Sequence, residues 1–271
     1  MKKAKNTHSI KEQERLVSKF SEHILEIKTK GFTVVPNLIS KKETKVIRKK
    51  ILEIYKKQCA EINGEKKLSK IYEQGFTMSL LSYDKYFVKF VTQKKYTRFV
   101  KSFLGNYFQL FCQNGVINQA NRKVKQNINK WHRDFNYLHI VSSKPLGLNI
   151  FYCVDDFTES NGSTWYLPGS HKFEKFPGLK FAEKHKVQII AKAGSAIVFD
   201  PMVFHKGGLN KSKKERITFT NIFTYPFIKQ QINLPQKLET KTNSKVLGFY
   251  DTTANSVYEF RKKRLLRISQ K

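Results

Sequence analysis

The hydrophobic periodicity of this chain changes once, at Gly105, and that change limits the architectures open to it. Before it, apolar residues recur at helical spacing. Leu16, Val17, Phe20, Ile24 and Ile27 follow a capping-box pattern, Ser9 with Glu12, and Gly31 closes the segment. Phe32-Thr33-Val34-Val35 predicts a short strand stopped by Pro36. A second box, Ser40 with Glu43, precedes Ile47, Ile51, Ile54, Tyr55 and Cys59 on one helix face. A third helix is expected from about Asp84 to Leu104, with Phe87, Val88, Val91, Phe99, Val100, Phe103 and Leu104 inward. After Gly105 the chain reads as short β-branched or aromatic runs: Phe108–Phe111, Leu148–Val154, Ser163–Leu167, Val187–Ile190, Ala196–Phe199 and Ile217–Tyr225. Asn161-Gly162, Pro168-Gly169, Ala193-Gly194 and Gly207-Gly208 punctuate them, as turns between strands do. Helices first and strands after excludes an alternating parallel fold. It predicts a mainly β, α+β unit: a sandwich or barrel with the helices packed on one sheet. The 271 residues are read as one domain. It comprises a helical part over about 1–105, a β core over about 106–230 and a basic extension over 231–271.

The formal net charge of +31, from 52 basic and 21 acidic residues, asks for an anionic partner or a compositional cause. Lys greatly outnumbers Arg and is spread along the whole chain, whereas base readers rely on bidentate Arg. No specific nucleic-acid partner is therefore expected, and the charge favours an anionic substrate only slightly. Ser256-x-x-Glu259 ahead of Arg261-Lys262-Lys263-Arg264-Leu265-Leu266-Arg267 reads as a solvated basic helix. Cys59, Cys112 and Cys153 are far apart and form no C-x-x-C pair, which suits a reducing cytoplasm and excludes a disulfide framework. No apolar run is long enough for membrane insertion.

The chemistry concentrates at Trp131-His132-Arg133-Asp134. Residues two apart on a strand point the same way, so His132 and Asp134 face one point with Arg133 opposite. One more ligand would complete a two-His, one-carboxylate face, which leaves adjacent positions open on a metal. The same letters occur in the kinase catalytic loop, but His139 stands where that loop needs Asn and no Gly-rich phosphate loop precedes it. Downstream, Ala196–Asp200 reads as a buried strand leading through Pro201-Met202-Val203-Phe204 to His205. Arg216 opens another strand on which Thr218, Thr220 and Thr224 share its face. That face lines an anion-binding cavity or is solvated with Arg216 in a surface ion pair; spacing leaves both open. Of the other candidates, His171 reads as a turn residue, Trp131 as packing against the metal loop, Trp165 as core, and His139 and His185 as surface residues. Asp200 is either a partner of a metal-bound His or, by default, a turn cap.

Several motifs occur together in one order: Gly31-Phe32-Thr33-Val34-Val35-Pro36-Asn37-Leu38-Ile39, Trp131-His132-Arg133-Asp134, Asp155 to Ser163, Leu167-Pro168-Gly169-Ser170-His171-Lys172, Gly194-Ser195, His205 and Arg216. In these the chain resembles the phytanoyl-CoA dioxygenase family of iron(II)- and 2-oxoglutarate-dependent oxygenases, from about Ile24 to about Tyr225. The resemblance implies a double-stranded β-helix, a cupin-like jelly-roll barrel. It implies that His132, Asp134 and His205 bind Fe(II) and that Arg216 clamps the distal carboxylate of 2-oxoglutarate. Phe151 falls where some members carry Trp against the co-substrate, and Gly207 where some carry a hydroxyl residue. Thr218 and Asn149 are the expected replacement contacts. The implied reaction consumes O2 and 2-oxoglutarate, releases succinate and CO2, and hydroxylates a small organic substrate. Halogenating relatives replace the carboxylate ligand by a small residue, so Asp134 favours hydroxylation. The alternatives are a non-catalytic jelly-roll module binding an anionic partner through its basic surface, and a hydrolytic zinc enzyme, which would need a general base that the motif lacks.

Overall fold

The computed structural model describes residues 20–120, 129–135, 140–240, 243–249 and 257–269. The Ser9–Glu12 box, His8, Leu16, Val17, His139 and Ser256 lie outside them.

The helical half follows its sequence signals closely. Helix α1 spans Ser21–Lys30 and ends where Gly31, at φ 94°, donates its N–H to the Ile27 carbonyl. Strand β1 is Phe32–Val35. Helix α2, Lys41–Glu61, starts with the reciprocal Ser40–Glu43 capping box and buries Ile47, Ile51 and Ile54. Short elements follow: α3 (Glu65–Lys70), β2 (Phe76–Thr77) and α4 (Leu80–Tyr83).

The helix expected from Asp84 to Leu104 is instead broken. A 3-10 turn at Lys85–Val88 and α5 (Lys89–Thr92) precede α6 (Lys94–Leu104), with Gln93 in an extended conformation between them. The reason is geometric. Phe87 and Tyr96 are both buried, yet at about 100° per residue one continuous helix would set them on opposite sides. The break at Gln93 turns both inward.

Strands β3 (Gln109–Asn118), β4 (Gly147–Cys153), β7 (Ala196–Phe199) and β9 (Arg216–Thr224) join β1 and β2 in a six-stranded sheet of order β1-β7-β4-β9-β3-β2, every pairing antiparallel. A second, antiparallel sheet contains β6 (Val187–Gln188), β5 (Trp165–Tyr166) and β8 (His205–Lys206), in the order β6-β5-β8. Helix α7 (Leu179–His185) precedes β6, and α8 (Val257–Ser269) ends the described chain. The two sheets do not close into a barrel among the described residues.

Both faces of the large sheet are covered. Leu148, Ile150, Tyr152, Ala196, Val198, Ile217, Phe219 and Phe223 pack into one cluster with the helical residues Ile27, Ile47, Ile51, Phe87, Phe90 and Val100. On the other face Phe199, Ile197 and Phe151 meet Tyr166 of the small sheet and Phe157. This is why β9, polar at Arg216, Thr218, Thr220 and Thr224 on one face, is buried along its whole length.

Strand β3 runs well beyond the expected Phe108–Phe111, through Gln113, Asn114 and Gly115. Those residues read poorly as strand, and buried amide pairing makes them one. Gln113 Nε2 donates to Asn221 Oδ1 at 2.9 Å and to the Phe87 carbonyl at 3.1 Å, while Asn221 Nδ2 donates to the Phe90 carbonyl at 3.0 Å. The pair sits directly across β3 and β9 and ties the broken helix to the sheet. Gly115 is required by close approach, because a Cβ there would lie 2.3 Å from Thr77 Oγ1 and 3.3 Å from Ile51 Cγ2. A Gly115→Val variant is expected to lose about 1–3 kcal/mol through overpacking, read as a lower midpoint in chemical denaturation. An unchanged midpoint would show that β2 is free to move away.

Candidate metal centre and anion pocket

The segment Trp131–Phe135 is not a regular strand. It is held by reciprocal backbone pairing, His132 N–H to the His205 carbonyl and His205 N–H to the His132 carbonyl, each 3.0 Å. Asp134 N–H donates to the Pro201 carbonyl at 3.0 Å. The alternation expected of a strand survives in this short ladder. His132 and Asp134 face one cavity, and Arg133 points away behind them.

Arg133 is buried, and its guanidinium holds the turn that backs the site. It donates to the carbonyls of Met202 at 2.7 Å, Ser170 and Glu174 at 3.1 Å each, and Phe173, and it lies 4.0 Å over the Phe204 ring. Trp131 donates to Glu183 Oε1 at 3.1 Å and stacks near Phe176, the packing role expected of it.

Ligand atoms of His132, Asp134 and His205 all lie within 4.8 Å of one another. His132 Nδ1–H donates to the Lys130 carbonyl at 2.8 Å and His205 Nδ1–H to the Val203 carbonyl at 3.0 Å. Each bond fixes a tautomer whose Nε2 lone pair is left for a metal. Burial, with His132 adding to it, holds the His205 imidazole well below its usual range, so it stays neutral. Burial raises the Asp134 carboxyl, opposed by the nearby His132 and by Asn149 Nδ2, which donates to Asp134 Oδ2 at 2.8 Å. Asn149 in turn accepts from the Thr220 hydroxyl. Asp134 Oδ1 lies 3.7 Å from the neutral His205 Nε2, and a divalent metal between them would supply a cationic partner.

A cavity of about 130 Å³ opens at these three side chains. Its other walls include Phe151, Tyr166, Phe199, Thr164, Asn149, Gly207 and Arg216. Arg216 is 2% exposed, which removes the surface ion-pair reading of its strand face. Nη2 donates to the Gly162 carbonyl at 3.0 Å, Nε to the Asn161 carbonyl at 3.3 Å, and the guanidinium lies 4.0 Å over the Phe157 ring. Gly162 is suited to this crowding, since a Cβ there would meet the Gly208 carbonyl at 2.5 Å. Nη1 is buried and has no partner among the described residues. The neighbouring acids do not serve it, because Asp155 and Glu215 both pair with Arg48. Burial pulls the Arg216 guanidinium down to about 10, still charged at neutral pH. A buried cation with an orphaned donor fits the carboxylate of an anionic co-substrate.

Phe151 lines this cavity. Asn149 lines it but is committed to Asp134, and the Thr218 hydroxyl is taken by the Tyr152 carbonyl at 2.6 Å. His171 is a turn residue, Nε2–H donating to the Lys28 carbonyl at 3.1 Å. Tyr166, opposite His205 across β5 and β8, went unassigned in the sequence reading, where only the strand around it was legible.

Asp200 caps the turn after β7 by accepting from Met202 N–H at 2.9 Å. Burial pushes its carboxyl from 3.8 up to about 6. The folded state then binds a proton more tightly than the unfolded one, so this group costs stability progressively as pH rises from about 4 to about 6. Asp200→Asn is expected to gain on wild type by about 2–3 kcal/mol across that window, then hold the gain above it. Denaturation midpoints at pH 4, 5, 6 and 7 check this, and a gap independent of pH would contradict it.

A two-histidine, one-carboxylate face with open positions is the ligand set of non-haem iron oxygenases. The comparisons with known proteins agree. The family model "Phytanoyl-CoA dioxygenase (PhyH)" matches residues 27–218. The chain belongs to this family, whose members are dioxygenases that use iron and 2-oxoglutarate. It is 28% identical over 255 residues to "Uncharacterized protein Rv1501" of Mycobacterium tuberculosis, covering 89% of this chain and 92% of that protein. Among solved structures, "non-heme monooxygenase; ThoJ apo" is similar with a TM-score of 0.63 at 19% identity, over 78% of this chain and 80% of the other. The epimerase SnoN, solved with Fe3+, alpha ketoglutarate and nogalamycin RO, is similar with a TM-score of 0.53 at 14% identity, over 76% of this chain and 84% of the other. At these identities the structural likeness is one of fold. Among the described residues no helix is long and apolar enough to cross a membrane.

Proposed function

We propose that this chain is a hydroxylase of the phytanoyl-CoA dioxygenase family, built as an open jelly roll, acting on a small, uncharged and mainly apolar organic molecule in the cytoplasm. The observation that carries the reading is the unpartnered Arg216 Nη1 in the cavity that also holds His132, Asp134 and His205. A binding module with no co-substrate has no use for such a buried cation.

In this reading His132, Asp134 and His205 hold Fe(II), with Asn149 and the Val203 and Lys130 carbonyls fixing their orientation. Arg216 receives the distal carboxylate of 2-oxoglutarate, and Phe151 packs along its chain. Iron with 2-oxoglutarate and O2 supplies the oxidising power, and succinate and CO2 leave. The remaining walls exclude water and fix which carbon of the substrate is presented. That reaction type is distinct from the epimerisation named for SnoN, and the Asp134 carboxylate argues against halogenation.

The substrate argument rests on the cavity wall. Despite the net charge of +31, Arg216 is the one Lys or Arg among the described lining residues, and the co-substrate uses it. Phe76, Val116, Phe199 and Ile222 dominate what is left. Asn114, also there, is satisfied by Ser79 N–H and Gln231. A second anion would find no counter-charge. The hydrolytic reading finds no support in this wall, since Asp134 is its one carboxylate among the described residues.

The His132→Ala, Asp134→Ala double variant is expected to lose metal binding in equilibrium dialysis. Arg216→Met is expected to keep the metal and weaken 2-oxoglutarate by about 100-fold or more. Full metal affinity in the double variant, or unchanged 2-oxoglutarate affinity in Arg216→Met, would contradict the assignment. With substrate found, product mass should rise by one oxygen atom alongside stoichiometric succinate.

A further inference from the structure

Besides Arg216 Nη1, one more buried hydrogen-bonding group on the cavity wall has no partner: the hydroxyl of Tyr166. Tyr166 is fully buried, and the structure around it leaves the ring little freedom. It lies opposite His205 in the β5–β8 pairing, with ring centroids 5.5 Å apart and planes 20° from parallel. Phe32 and Phe199 pack against it at 5.0 and 5.2 Å. A phenol held so deeply among aromatic rings normally finds an acceptor for its proton. None is present among the described residues, and Tyr166 shares the cavity wall with Arg216.

The placement of the two residues is coupled through the chain. Arg216 is held by the carbonyls of Asn161 and Gly162, and the chain then runs through Ser163 and Thr164 into β5 and Tyr166. Thr164 and Tyr166, two apart, both line the cavity, while Trp165 between them belongs to a different groove. Gly207, just past the end of the neighbouring strand β8, brings no side chain to this wall.

We propose that the Tyr166 hydroxyl is a second donor to the distal carboxylate of 2-oxoglutarate, acting with Arg216 Nη1 as a two-residue clamp. This rests on the reading of Arg216 given above. A carboxylate accepts up to about four hydrogen bonds, so one guanidinium edge leaves room for the phenol. Burial keeps the phenol protonated, so it remains a donor at neutral pH. The clamp also explains why two uncompensated polar groups survive on one cavity wall: a single dianionic ligand satisfies both.

The test is calorimetric titration of the metal-loaded protein, without oxygen, comparing 2-oxoglutarate with 2-oxobutanoate, which keeps the chelating 2-oxo acid and lacks the distal carboxylate. Tyr166→Phe keeps the ring and its packing, and an unchanged melting temperature confirms that. The expected result is about a tenfold loss of 2-oxoglutarate affinity with 2-oxobutanoate within about twofold of wild type. Equal losses for both ligands would place the hydroxyl at the metal end and overturn the proposal, as would no loss for 2-oxoglutarate. Arg216→Met in the same titration separates the two readings. If it loses 2-oxoglutarate selectively while Tyr166→Phe does not, only the Tyr166 proposal fails. If neither variant responds, the Arg216 assignment fails with it.

Discussion

The reciprocal hydrogen bonds between the His132 and His205 backbones are the constraint on which the rest of the site depends. The two residues are distant in sequence, and one lies in an irregular loop. Two bonds of 3.0 Å set the imidazoles side by side, with centroids 4.3 Å apart. They also fix the register of the loop, so that Asp134 falls two residues on and facing the same way. A backbone ladder places metal ligands more firmly than side-chain contacts alone, because each peptide bond restricts the next. Arg133 reinforces it from behind by gathering four carbonyls of the Ser170–Glu174 turn and Met202 around one guanidinium. The residue between His132 and Asp134 thereby becomes the support of both.

The second constraint is the dryness of the large sheet. Helices cover one face and the small sheet the other, so the polar stripe of β9 has no solvent to turn to. Most polar groups on that stripe find a partner within the protein, the Thr224 hydroxyl being an exception among the described residues. Thr218 found the Tyr152 carbonyl and Thr220 found Asn149. Arg216 satisfied part of its fork on Asn161 and Gly162, and Nη1 was left over. Function lies in that remainder. An unsatisfied buried cation costs stability, and the cost is offset when an anion arrives.

Much of this was legible in the sequence, for identifiable reasons. Capping boxes and glycine stops work through local geometry, so Ser40, Gly31 and β1 fell where the pattern put them. His132, Asp134, His205 and Arg216 were legible because their spacing follows a family pattern, and the structure brings all four to one cavity. What sequence reading missed depends on tertiary partners. Strand β3 extends through Gln113 and Asn114 because Asn221 and Thr220 face them across the sheet. The helix breaks at Gln93 because Phe87 and Tyr96 both need the same core. Thr218 and Asn149 looked free to contact a ligand until their neighbours were known. Tyr166 carried no signal beyond its strand, and its place on the wall is apparent only once a cavity is drawn around it.

The central claim is that one ligand joins the metal centre to Arg216, and linkage makes that measurable. If 2-oxoglutarate chelates the metal at one end and meets Arg216 at the other, metal and co-substrate must strengthen each other's binding by the same factor. Titrating 2-oxoglutarate into metal-free and metal-loaded protein without oxygen tests this directly. The account predicts affinity at least about 10-fold tighter with metal, matched by an equal gain in metal affinity when 2-oxoglutarate is present. Equal affinities with and without metal would contradict it.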